Sequence, residues 1–174
     1  MAPSSPESPL AAGPKNFLDH PGGPGPFGAL MDEYARAAED FCRAVERLPA
    51  GALDWERPSD DPDTASVRFL CAHVCGAARR YADYILAARG RQHDSIFVFA
   101  PAELVTPADV RVKLSEMLRY TERAIAGLEK ATEAEIMALS FQVRWGPTYD
   151  PEMILEHGIV HLLRHRRQLE RWPR

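Results

Sequence analysis

HGIVHLLRHRRQLE, residues 157–170, places His157, His161 and His165 four residues apart in a strongly helical pattern. That spacing sets successive imidazoles on one stripe of a helix, about 6 Å apart along its axis. Neutral imidazole is the commonest protein ligand for transition metals, so two of these side chains with a partner from another helix can hold one ion. All three cannot share it, because His157 and His165 stand about 12 Å apart on a straight helix.

Outward from this stretch the chain reads as helices and loops. Asp150 and Pro151 supply the cap and first-turn proline of the last long helix, expected to reach Trp172. Upstream, Leu30, Tyr34, Phe41, Val45 and Leu48 follow a helical period that predicts a first helix over Ala29 to Leu48. After a Pro- and Asp-rich loop, Thr64 and Ser66 are cap candidates for a second helix running to about Arg89. A third opens at Thr106-Pro107-Ala108-Asp109 and is expected to continue to Lys130. Thr132 and Glu135 form a capping box for a short helix ending near Leu139, and FQVRWGPTY, residues 141–149, reads as an ordered loop or short extended piece. No strand pattern predicts a sheet. The expected fold is all-α: a four-helix bundle with long inter-helix connections and an irregular N-terminal tail.

Two segments follow from composition. Residues 1–26 are too rich in proline and glycine to support a packed element and read as a tail, with Phe17 and Leu18 as its points of contact. Residues 27–174 read as one domain, whose 174-residue parent chain is 45% hydrophobic and 26% charged, enough for one core. The net charge of −4 provides no global basic field, so no nucleic-acid partner is expected. Arg164, Arg166, Arg167, Arg171 and Arg174 crowd the last helix, where they solvate it and complement its dipole. The N-terminus lacks a basic start and an apolar run, and no segment has the length of a membrane span, so a soluble, cytoplasmic protein without a membrane partner is expected. Cys42, Cys71 and Cys75 are too few for a disulfide framework and read as core thiols.

The second helix contains FLCAHVCGAARRYADY, residues 69–84, and its His73 is the natural third partner for the histidine pair. Cys71 and Cys75 point roughly 200° away from His73 on a helix and cannot join it. Leu70, Ala77, Arg80 and Tyr84 are aligned with His73. Spacing alone leaves metal binding and simple packing equally open, although two imidazoles buried as packing would leave polar nitrogens to satisfy.

SVRFLCAH, residues 66–73, followed at distance by LEHGIVHLLRHRRQ, residues 155–168, resembles the DinB-like superfamily of metal-binding four-helix bundle proteins. The resemblance covers residues 27–172. Its specific part is HxxxHxxQ at His161, His165 and Gln168, preceded by Arg167 where the family usually has glycine. It implies that His73, His161 and His165 bind one divalent ion, zinc, nickel, iron or manganese. It places His157 outside that set, as a hydrogen-bond partner, a cavity-lining residue or an exposed one. The other register, His157 with His161, satisfies the same helical spacing.

Three histidines leave coordination positions open, as catalytic rather than structural sites do. In related enzymes that position takes the thiol of bacillithiol, mycothiol or glutathione, so the resemblance implies an S-transferase joining a small thiol to an electrophilic or xenobiotic small molecule. The alternative is a divalent-metal-binding stress or accessory protein without turnover. A homodimer is expected on the same ground. Arg80 has two readings, a cofactor carboxylate or a structural ion pair, and Trp145 and Tyr149 are placed to roof a cavity or to pack in the core.

Overall fold

The computed structural model describes residues 14–93 and 99–172. Residues 1–13 of the expected tail and Arg174 of the arginine cluster lie outside them. Among the described residues the chain forms five α-helices: α1 (Gly25–Glu46), α2 (Val67–Ala88), α3 (Pro107–Ile125), α4 (Glu133–Ala138) and α5 (Pro151–Glu170). Among those residues no helix is long and apolar enough to cross a membrane.

Helix α1 buries Phe27, Met31, Tyr34, Ala38, Phe41 and Val45, a single stripe at alternating steps of four and three. It begins four residues before the expected Ala29, because the missing N–H of a first-turn proline belongs to the groups that have no helical partner anyway. Phe17 packs into the core beside it while Leu18 is exposed. Ser66 caps α2, its Oγ accepting from the Phe69 N–H at 3.2 Å, and Asp150 caps α5, its Oδ1 accepting from Met153 N–H at 2.9 Å.

Helix α3 stops at Ile125 instead of Lys130. Gly127 adopts φ +93, a left-handed conformation that ends a helix at little steric cost, and Leu128–Lys130 is a separate 3-10 turn. Arg89 at the end of α2 donates to the carbonyls of Ala124 and Ala126, satisfying acceptors at the end of α3 and tying the two helix ends together. At the other end of α3, the buried Asp109 carboxylate accepts from the N–H groups of Val105 and Thr106 at 3.0 and 2.6 Å.

The segment 141–149 takes the extended one of its two expected forms, as a small hairpin: β1 (Phe141–Gln142) pairs antiparallel with β2 (Thr148–Tyr149) in the register Phe141↔Tyr149 and Gln142↔Thr148. Two-residue strands carry too little alternation to be read from sequence. Phe141 stacks on Tyr84 of α2 with ring centroids 5.3 Å apart, which fixes the hairpin over the end of that helix.

The four long helices pack in the pairs α1/α5, α1/α3, α2/α3 and α2/α5. Their shared interior holds Tyr34, Phe41, Leu70, Ile85, Leu114, Ile154, Leu155 and Leu162, all essentially without solvent exposure. Gly158 lets α5 approach α1 closely, since a Cβ there would lie 2.8 Å from the Tyr34 hydroxyl. A network centred on Glu39 joins α1 to α3: its carboxylate accepts from Arg111 at 2.7 and 3.3 Å, from Arg43 at 2.7 Å and from the Phe17 N–H at 3.1 Å.

Candidate metal centre

His73 lies near the start of α2, and His161 and His165 are one turn apart on α5, which packs beside it. Their inner nitrogens converge. His73 Nε2 is 3.0 Å from His161 Nε2, and His165 Nε2 is 3.1 Å from the same atom. One ring nitrogen from each of the three lies within 4.8 Å of those of the other two.

The outer nitrogens set the tautomers. His73 Nδ1 is 3.1 Å from the Asp63 carboxylate and His165 Nδ1 is 2.5 Å from Gln168 Oε1. Both partners accept, so each Nδ1 carries the proton and each Nε2 turns a lone pair toward His161. One proton on His161 Nε2 can satisfy only one of these two lone pairs, whereas a cation between the rings satisfies all three. Burial pushes the His161 pKa down to about 2, with His165 and His73 adding to the effect, and burial likewise holds His165 at about 4. Both rings are therefore neutral at pH 7, the form that ligates metals. Nitrogens each about 2.1 Å from one ion stand roughly 3.4 Å apart at tetrahedral angles and roughly 3 Å apart at right angles. The donor set and its spacing fit a single divalent ion.

The three histidines line a cavity of about 800 Å³ together with Asp63, Arg80, Tyr81, Trp145 and Arg164, among others. Trp145 lines it, whereas Tyr149 is not among its lining residues. The Trp145 ring stacks on His157 with centroids 5.0 Å apart, and His157 Nδ1 lies 3.3 Å from the Tyr149 hydroxyl. His157 is thus a cavity-lining residue held by two aromatic side chains, outside the converging set. Arg80 lines the cavity as well.

The face of α2 turned to the cavity differs from the expected stripe. Phe69, Ala72, His73, Gly76, Ala77, Arg80 and Tyr81 line it, whereas Leu70 enters the core and Tyr84 bonds the hairpin through Arg144 N–H at 3.0 Å. Helical periodicity relates these residues to one another, but the rotation of α2 about its own axis is set by its neighbours. Cys42, Cys71 and Cys75 are all buried, and burial raises each thiol well above its ordinary pKa, which makes them inert core residues. Asp63 and Tyr81 were not evident as site residues. Asp63 sits ten positions before His73, in a 3-10 turn whose fold-back no periodicity announces.

A helical protein with three converging histidines lining an open cavity is the class that this geometry defines. The chain matches the DinB superfamily over residues 33–169, and it belongs to that family. Comparisons with curated proteins and with solved structures return no match.

Proposed function

We propose that this protein is a metal-dependent S-transferase that conjugates a low-molecular-weight thiol of the bacillithiol, mycothiol or glutathione class to an electrophilic small molecule. The observation that carries the reading is that the triad lines a cavity large enough for both reactants. The reading takes residues 27–174 as one four-helix bundle domain, which the cyclic packing of α1, α3, α2 and α5 supports, and His73, His161 and His165 as the ligands of zinc, nickel, iron or manganese.

A divalent ion held there would supply the positive charge that keeps a thiol ionised at neutral pH. The remaining work falls to the chain. Asp63 and Gln168 hold the His73 and His165 rings in the tautomer that aims Nε2 inward. Trp145, stacked on His157, lines one side of the cavity and presents aromatic surface to it. The thiolate lone pair forms the new C–S bond, and the leaving group departs with its electron pair or, in an addition, the neighbouring carbon takes up the proton released by the thiol.

Metal-loaded full-length protein is mixed with each thiol and 1-chloro-2,4-dinitrobenzene, and conjugate formation is followed by absorbance. Turnover that is lost in H161A is expected. A rate no higher than that of H161A for every thiol would refute the transferase reading, and retained metal in that case would favour the accessory role.

A further inference from the structure

We infer that the cavity has an anion-binding pole, built from Arg80, Arg144 and the Tyr81 hydroxyl, which takes the carboxylate or phosphate of an organic acid whose apolar body lies against Phe69, Phe99 and Trp145. This names the class of molecule for the cavity and rests on reading that cavity as a small-molecule site, but not on the metal.

Three arginines, Arg80, Arg144 and Arg164, line the cavity, and among the described residues none of their guanidinium groups makes a hydrogen bond or ion pair. Some guanidinium groups outside the cavity are matched to carboxylates, among them Arg111 to Glu39 and Glu46, Arg68 to Asp54 and Arg166 to Asp40. Guanidinium presents a planar fork of donors that suits carboxylate and phosphate oxygens.

Tyr81 adds a second, independent observation. It lines the same cavity and is only 5% exposed, yet among the described residues nothing hydrogen-bonds its hydroxyl. The hydroxyl itself is reached by solvent, so it is free to donate to a ligand that enters the cavity. Burial holds the phenol well above its ordinary pKa, against the opposing charges of Arg80 and Arg144, so it keeps its proton and donates. Arg80 precedes Tyr81 on α2, and Arg144 precedes Trp145, whose ring centroid lies 6.2 Å from that of Tyr81, so Arg80, Arg144 and Tyr81 line one part of the cavity.

The acidic residues of the cavity lie at its other end. Asp63 is engaged by His73, and Asp61 holds the same 3-10 turn by accepting from the Asp63 N–H. Arg80 is seven residues beyond His73 on α2, about 10 Å along the axis. Aromatic surface fills the walls: Phe69 and Trp145 line the cavity yet are 45% and 40% exposed, and Phe99 lies beside them. An apolar acid meets charge at one end and rings along its length.

Isothermal titration calorimetry on the full-length protein tests this with benzoate and phenyl phosphate, and with benzamide as the neutral analogue. At least one anion is expected to bind saturably and at least about tenfold more tightly than benzamide. R80Q/R144Q should weaken it about tenfold or more and Y81F by about fivefold, with protein stripped of metal by EDTA within about twofold of the untreated protein. No saturable binding of either anion, equal binding of benzamide, or unchanged affinity in R80Q/R144Q would overturn the inference. Loss on chelation with full affinity in R80Q/R144Q would also overturn it, by placing the anion on a bound metal and leaving the metal reading intact. Anion binding that depends on Arg80 and Arg144 in a protein that takes up no metal would uphold it while sinking the metal reading.

Discussion

The carboxylate of Asp63 accepts a hydrogen bond from Nδ1 of His73 across 3.1 Å, so a 3-10 turn in the loop before α2 sets the direction in which the ring of His73 presents its other nitrogen. The same service is performed for His165 from within its own helix, by Gln168 three residues on. Outer partners of this kind fix the tautomer and raise the basicity of a ligating imidazole.

Removing that partner should weaken metal binding without unfolding the chain. D63A is expected to lower zinc affinity by about 10- to 100-fold, measured by competition with a chromophoric chelator, with an unchanged helical circular dichroism spectrum. Equal affinity in D63A and the unaltered protein would show that the His73 ring needs no such support.

Single alanine variants separate the two histidine registers. H73A, H161A and H165A should each lose most of the bound metal, whereas H157A should keep it, because His157 is engaged with Trp145 and Tyr149 instead of the converging nitrogens. Elemental analysis of the four proteins gives the stoichiometry. One ion per chain in H165A, with none in H157A, would assign the upper pair.

Acid should act through Glu39. Burial alone would raise its pKa, but the hydrogen bonds from Arg111, the Phe17 N–H and Arg43 outweigh burial and hold it below the ordinary 4.5. The folded state therefore favours the carboxylate. Its contribution to stability is complete above that ordinary value and is lost as pH falls through the lower folded value. E39Q should cost about 1–3 kcal/mol at pH 7 and show a flatter loss of stability below pH 4.5 than the unaltered protein, read by urea unfolding across pH. Parallel pH profiles would remove Glu39 as the source.

Gly158 is tested by its smallest substitution. In G158A the new methyl would stand 2.8 Å from the hydroxyl and 2.9 Å from Cζ of Tyr34, a ring only 1% exposed. Alanine favours an isolated helix by about 1 kcal/mol, yet overpacking costs about 1–3 kcal/mol. A net loss in thermal stability is expected, relieved by Y34F if the hydroxyl is the obstacle. A more stable G158A would mean that α1 and α5 separate without cost.

Much of this protein was legible because it is local. Ser66, Thr132 with Glu135, and Asp150 with Pro151 announce helix starts, since a cap acts within one turn. His161 and His165 share a stripe for the same reason, and the burial of Cys71 and Cys75 away from His73 follows from the angle between neighbouring residues on a helix. Other features depended on distant parts of the chain. The choice of His161 and His165 over His157 to meet His73, the rotation of α2 that brings Tyr81 and not Tyr84 to the cavity, and the return of Asp63 to the His73 ring were decided by tertiary structure. Helical periodicity specifies the direction of a side chain about its own axis. The offset and rotation of one helix against another come from packing between residues far apart in the chain, such as Gly158 against Tyr34 and Arg89 against the end of α3.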